Sequence, residues 1–298
     1  MIEVKNVTKR FGDFTAIEDI SFTVQDASIY GLVGYNGAGK TTLLKICAGI
    51  FQPEGGEVLI GGENVYDNGK VRNDLFFVPD EVYLPMNTNL SKLRKLYRGY
   101  YPNFSDKVFY SLVTAMGLDL KKNIRSFSKG MQRQAEIILA MATMPKCILF
   151  DECFDGVDPQ KRNLCKKLFI EYMAESNCSI IMSSHNLQEV ADLCDNVALI
   201  NGKHLAMNVS VDDISAAYKK FRMIFSDAVA AEALEAIPNR GVTVDGRLAT
   251  IIVPSEVDES AFAHLNPIHI ESINLSLEEV FLNEMEDKSY DISQIFSK

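Results

Sequence analysis

The stretch Gly34-Tyr35-Asn36-Gly37-Ala38-Gly39-Lys40-Thr41-Thr42 constrains this chain more than any other. It fits G-x-x-x-x-G-K-[ST], a loop whose backbone N–H groups turn inward around phosphate oxygens. Glycines at 34, 37 and 39 permit the tight path and the close approach of the anion. Lys40 then reaches the β- and γ-phosphates of a nucleotide, and the Thr41 hydroxyl is placed to ligate Mg2+. The flanks agree. Ile29-Tyr30-Gly31-Leu32-Val33 reads as a buried strand, and Thr42 to Ala48 as a helix whose positive end faces the phosphates. Strand, glycine loop and helix together predict an α/β core.

Other chemistry-bearing residues sit at predicted strand ends. Cys147-Ile148-Leu149-Phe150 is an apolar strand that closes on Asp151-Glu152. Two carboxylates there are costly without a cation. Mg2+ supplies it, with Asp151 as ligand and Glu152 left to orient or deprotonate an attacking water. Leu75 to Val78 is a short strand followed by Pro79-Asp80-Glu81. Ser179 to Ser183 is a strand running into His185, which either faces a ligand or caps the following helix. Ser126-Phe127-Ser128-Lys129-Gly130-Met131 precedes a helix over 132–144. Ser128 and Gly130 offer a hydroxyl and N–H groups to an anion, or an ordinary N-cap. Asp158-Pro159 opens a helix that runs to about Ser176. Phe11, 29 residues before Lys40, either stacks on a purine base or packs within its own turn.

Helical spacing from Asn89 to Leu120 (Leu90, Leu93, Leu96, Tyr97, then Phe109, Leu112, Val113, Met116) predicts a helical insert over about 85–145. The chain therefore divides into residues 1–215, carrying all the motifs, and a small domain over 220–298. The latter reads β-α-β-β-α-β, a ferredoxin-like order, with helices over 228–237, 256–264 and, at its end, 277–285. No chemistry is visible in it. From Arg222 to Lys298 there are 5 basic and 14 acidic residues, nearly the whole net charge of −10, which argues against nucleic acid or anionic lipid as that domain's partner. The six cysteines show neither C-x-x-C spacing nor paired histidines, and no run of 18 apolar residues occurs. These features predict a cytosolic, reduced protein that reaches a membrane only through another chain.

Taken in order, the phosphate loop, Ser128-x-Gly130, Asp151-Glu152, Gly156-Val157-Asp158-Pro159 and Ser184-His185 resemble the nucleotide-binding subunits of ABC (ATP-binding cassette) transporters, over roughly residues 1–209. The resemblance implies a P-loop NTPase core with an antiparallel β layer and a helical subdomain, and the cofactors ATP and Mg2+. It implies a second ATP-binding subunit, identical or different, and a separate transmembrane permease, with the cassette peripheral on the inner face of the membrane. Phe11 resembles the adenine-stacking aromatic. Ser128 and Gly130 resemble the signature that reaches the γ-phosphate held by the partner subunit, Asp158 the loop linking the two sites, Glu152 the general base, and His185 the γ-phosphate sensor. Asn36, Ala38 and Thr42 fall within the matching phosphate loop, and Ser276-Leu277-Glu278-Glu279-Val280-Phe281 is similar to the end of bacterial export-type cassettes.

Two positions depart from the family pattern. Asp80 stands where the family has Gln; an acid there holds Mg2+ but alters the relay to the membrane subunit. Phe127-Ser128-Lys129-Gly130-Met131 stands for Leu-Ser-Gly-Gly-Gln, keeping the hydroxyl and the second glycine. The expectation is an active, slow ATPase coupled to transport. The rivals are a soluble ABC-type ATPase on ribosomes or nucleic acid, and a non-hydrolysing ATP-dependent regulator.

Overall fold

A computed structural model describes residues 1–85, 87–228, 231–273, 275, 276 and 279. The chain divides into two compact units at Asn208/Val209.

The first unit is built on a six-stranded sheet in the order His204–Ser210, Asn196–Asn201, Ile29–Val33, Ser179–Ser183, Cys147–Asp151, Leu75–Val78. The Ile29–Val33, Ser179–Ser183 and Cys147–Asp151 strands are buried at every residue. Uninterrupted apolar runs of this kind suit a parallel sheet covered on both faces, and the pairings among them are parallel. Register aligns their C-terminal ends: Leu32 and Asp151 both pair with Ser183. The loop after Val33, the Asp151-Glu152 step and the Ser183–His185 turn thus share one edge. That edge is where ligands bind in open α/β sheets.

A second, antiparallel sheet joins Phe14–Val24, Ile2–Phe11, Gly55–Ile60 and Glu63–Asn64. Its first hairpin is closed by the Phe11–Phe14 pair. Ile2, Val4, Val7, Ile17, Ile20 and Phe22 pack with Leu43, Leu44 and Ile46 of the helix Lys40–Cys47 in one core. The strands run longer than the sequence signals: Phe14–Val24 begins seven residues ahead of the apolar alternation at Ser21. Cross-strand pairing extends a ladder past the point where burial ceases to alternate.

The helical part comprises Leu90–Tyr100, Asp106–Met116 and Lys129–Ala142. Asn89, Ser105 and Ser128 cap them, each side chain accepting a backbone N–H of the first turn. A short helix over Gly69–Asn73, capped by Asn68, carries no apolar period long enough to predict from sequence.

In the second unit the strands stand in the order Gly241–Asp245, Leu248–Pro254, Tyr218–Ile224, His269–Ile273, all pairings antiparallel. In chain order this is 4-1-3-2 from the other edge, with the helix Ala231–Glu235 and the 3-10 turn Glu259–Leu265 as crossovers. Phe221, Met223, Ile251, Val253, Leu234 and Phe262 form its core. The second crossover is 3-10 rather than the α-helix expected over 256–264. Asp258 caps it late and Asn266, left-handed, stops it after seven residues. The helix expected over 277–285 lies outside the described residues except for Glu279. Among the described residues no helix is long and apolar enough to cross a membrane.

Candidate active site

The helix Lys40–Cys47 starts from Gly39, which is left-handed (φ +99°) and provides no side-chain cap. A Cβ at Gly39 would lie 2.5 Å from Ile17 Cγ2 and 2.8 Å from the Ala16 carbonyl oxygen, so only glycine fits. The first-turn N–H groups are thereby left to an anion rather than to a side chain. Lys40 is buried at 6 % exposure and its Nζ donates to the Gly34 and Tyr35 carbonyls at 2.6 and 3.2 Å. Burial lowers its pKa, against the opposing pull of Glu152 and Asp151. A cleft of about 250 Å³ is lined by Phe11, Phe14, Ala16, residues 36–42, Asp80 and Glu152. It thus gathers Asn36, Gly37, Ala38, Gly39, Lys40, Thr41 and Thr42 with Phe11 and Asp80. A larger cavity, about 950 Å³, lies in the second unit beside Lys220, Asn239 and Thr250. The chemistry converges on the smaller one.

Behind the cleft, Asp151 is 1 % exposed. Its Oδ1 accepts from Ser183 Oγ at 2.6 Å, while Oδ2 is buried with no hydrogen-bond partner among the described residues. A buried carboxylate oxygen without a donor calls for a cation. Thr41, Asp80 and Glu152, the residue after Asp151, line the cleft, and the side chains of Thr41, Asp80 and Asp151 offer only oxygen. That is the set a hard divalent ion such as Mg2+ takes.

Glu152 adopts φ +48°, rare for a residue with a side chain. Its N–H donates to Ser183 Oγ at 3.0 Å, so one buried serine fixes both carboxylate residues. Oε2 accepts from the His185 N–H at 3.3 Å and lies 2.8 Å from His185 Nδ1, which therefore carries the proton; Oε1 lies 3.9 Å from Lys40 Nζ. Asp155 joins this group, its carboxylate and the ligand atoms of Glu152 and His185 all lying within 4.8 Å of one another. His185 is 58 % exposed, and its pKa is raised. The hydrogen bond to Glu152 is the main cause; partial burial opposes it, and the charges of Glu152, Asp155 and Glu189 add to the rise.

Ser128, Gly130 and Asp158 are not among the residues lining that cleft. Ser128 is exposed at the head of its helix, its Oγ accepting from the Met131 N–H at 3.2 Å. Gly130 is buried against the turn that leads to Asp158: a Cβ there would lie 2.4 Å from the Gly156 carbonyl oxygen. Asp158 is exposed, and Oδ1 caps its helix through the Gln160 N–H at 2.9 Å. Phe11, 46 % exposed, meets Phe51 edge-on at 5.6 Å and carries Lys9 Nζ 5.2 Å from its ring centroid.

Sequence reasoning missed three supporting residues. Ser183 carries one local signal, a hydroxyl at the end of a buried strand. Arg162 and Glu189 form an ion pair at 2.6 Å. Glu189 Oε2 accepts from Ser184 Oγ at 3.0 Å, and Arg162 Nη2 reaches the Phe154 and Val157 carbonyls at 3.5 Å. The pair ties the turn before Asp158 to the turn carrying His185. Nothing in either local pattern marks it, because the partners are 27 residues apart.

A family model described as "ABC transporter" matches residues 17–155. The chain is 26 % identical over 288 residues to the ABC transporter ATP-binding protein YtrB of Bacillus subtilis (strain 168), covering 95 % of this chain and 97 % of that protein. It is 30 % identical over 220 residues to the linearmycin resistance ATP-binding protein LnrL of the same organism, covering 71 % and 70 %. A solved structure described as the ATP-binding subunit of an ABC transporter superposes with a TM-score of 0.67 at 26 % identity, covering 72 % of this chain and 91 % of that one.

Proposed function

The chain belongs to the ABC transporter ATP-binding proteins and is an ATPase of that family, and from that premise we propose that two such subunits close around two MgATP and drive a separate transmembrane permease. The observation that carries the reading is the single sheet edge on which Lys40, Asp151, Glu152 and His185 converge.

Lys40 leaves the Gly34 and Tyr35 carbonyls for the phosphates, and the loop N–H groups hold the β-phosphate oxygens. Asp151, Thr41 and Asp80 would hold Mg2+, which would neutralise charge on the phosphate oxygens. Glu152 takes a proton from water as its oxygen attacks the γ-phosphorus; the bond to the β–γ bridging oxygen breaks, and ADP and phosphate result. For this Glu152 must exchange its His185 hydrogen bond for one to water, which leaves the imidazole proton for the γ-phosphate. Phe11 supports the base. Ser128 and Gly130, outside their own cleft, serve the nucleotide of the second subunit, and Asp158 lies at the seam. Loss of the γ-phosphate removes the contacts that hold the pair together, and the pair opens. The cassette works peripherally on the inner membrane face, and residues 220–298 form its appended domain.

The test is tagged Glu152→Gln protein in detergent-solubilised membranes, with and without MgATP. The expected outcome is retained ATP binding, turnover reduced by about 100-fold or more, a MgATP-dependent rise from one to two cassettes by light scattering, and co-purification of a multi-span protein. Co-purification of ribosomal or nucleic-acid components alone would overturn the transport assignment and leave the ATPase standing.

A further inference from the structure

Arg133 heads the largest fully buried side chains, a guanidinium at 0 % exposure on the Lys129–Ala142 helix. Nη1 donates to the Pro79 carbonyl at 2.6 Å and to Glu136 Oε2 at 2.9 Å, and Nη2 donates to the Asp80 carbonyl. Glu136, 7 % exposed, accepts through Oε1 from the Tyr83 N–H at 3.3 Å. Two successive carbonyls and one N–H of the segment 79–83 thus end on one turn of one helix. Asp80, within that segment, is one of the residues lining the phosphate cleft.

A buried ion pair is a poor device for stability, since desolvation offsets most of its attraction. The cost is visible here: burial pushes the Glu136 carboxyl up to about 7 in spite of the Arg133 charge and the Tyr83 N–H. What such a pair does supply is geometry. A planar fork of donors fixes two carbonyls at once, which a methylene chain or an ammonium does not. The same helix begins at Ser128, about 7.5 Å along the axis from Arg133 at 1.5 Å per residue.

We propose that Arg133 and Glu136 are positioning residues that lock the Asp80 segment to the signature helix, so that Ser128 and Gly130 at its head and Asp80 in the cleft move as one body. The inference rests on the reading of the cleft as a MgATP site. The pair then makes docking of the signature on a second subunit's nucleotide and placement of Asp80 on its own nucleotide a single event. Asp80 contributes through its carboxylate; Arg133 and Glu136 touch neither nucleotide nor metal.

The experiment uses the full chain with Arg133→Lys, Arg133→Met and Glu136→Gln. Phosphate release, affinity for a fluorescent ATP analogue and backbone hydrogen exchange are measured for each. Expected are a kcat lowered about 10- to 100-fold, the scale of an ångström-level misplacement, and analogue affinity within about 3-fold of wild type, because the phosphate loop is untouched. The Mg2+ concentration giving half-maximal turnover rises, and amide exchange over residues 80–83, above all at Tyr83, speeds up. Arg133→Lys keeps the charge and is expected not to rescue; Glu136→Gln keeps the shape and serves if Arg133→Met fails to fold. Folded Arg133→Lys and Glu136→Gln proteins with wild-type turnover, Mg2+ dependence and exchange would overturn the proposal. Absence of turnover in the wild type would instead sink the MgATP reading, and hydrogen exchange at 80–83 still decides whether the lock exists.

Discussion

Two helix starts in this molecule, those of Lys40–Cys47 and Lys129–Ala142, are finished in opposite ways, and the proposed function gives each a phosphate to meet. The Lys40–Cys47 helix opens on Gly39, which supplies no cap, so its N–H groups stay available and the loop folds around its own lysine. The Lys129–Ala142 helix opens on Ser128, whose hydroxyl already accepts from the Met131 N–H. The first is a receptor complete within one chain. The second spends an acceptor lone pair of Ser128 on its own cap and keeps the exposed O–H free to donate to a partner. A helix start left open by glycine and one capped by serine differ by one side chain, and in the proposed function that difference separates binding ATP from answering a second subunit's ATP.

The largest effect is expected on the receptor side. Lys40→Ala removes a buried ammonium from a poorly solvated site, where its attraction for phosphate acts at close range. Affinity for a fluorescent ATP analogue is expected to fall by about 100-fold, the loss that accompanies truncating one partner of a buried charged contact. Fold stability is expected to change little, since Lys40 Nζ donates only to loop carbonyls and sits 3.9 Å from Glu152. Analogue affinity within a few-fold of wild type would show that the loop's N–H groups alone bind the phosphates.

Ser128→Ala tests the other side and should give a split result. Loss of the cap costs about 1 kcal/mol of stability, read as a small shift in the urea midpoint. ATP binding by the single subunit is expected to remain within about 2-fold of wild type, because Ser128 does not line that cleft. Turnover and MgATP-dependent pairing are expected to fall by roughly 10-fold, the worth of one hydrogen bond to a charged oxygen. Unchanged turnover with the stability loss intact would reduce Ser128 to an N-cap and break the comparison.

How much of this was legible in the sequence depends on the distance over which each contact is made. The phosphate loop, the strand closing on Asp151-Glu152, the helix from Pro159 to Ser176 and the strand Leu75–Val78 were readable because their signals are local: glycine spacing, an apolar run, a proline at the first helical turn. The β-α-β-β-α-β chain order of the second unit followed from alternating strand and helix patterns, whereas the 3-10 character of Glu259–Leu265 did not, because the caps at Asp258 and Asn266 decide it. Side chains that hold the site were illegible. Ser183 bridges two carboxylate residues 31 and 32 positions away, Arg133 reaches Pro79 across 54, and Arg162 meets Glu189 across 27. Local patterns carry no record of such pairings; the sheet and the helix packing bring them together.

The smallest effect sharpens the receptor side again, through His185. Its hydrogen bond to Glu152 raises the imidazole pKa above the ordinary value near 6.5, so the charged form is favoured in the fold. A group with a raised folded pKa contributes fully below its unfolded pKa, and that contribution is lost as pH rises through the folded value. The imidazolium–Glu152 ion pair should therefore be complete in mildly acidic solution and weaken above the raised pKa to a neutral Nδ1–H hydrogen bond. Glu152→Gln removes both the acceptor charge and most of the cause, leaving the weaker pull of Asp155 and Glu189 against partial burial. The expected outcome in a histidine ring titration by NMR is a fall in the His185 pKa. An unchanged His185 pKa would mean that Glu152 does not hold the ring in solution. The base would then already be free to face the water, and His185 would need another reason for its place at the sheet edge.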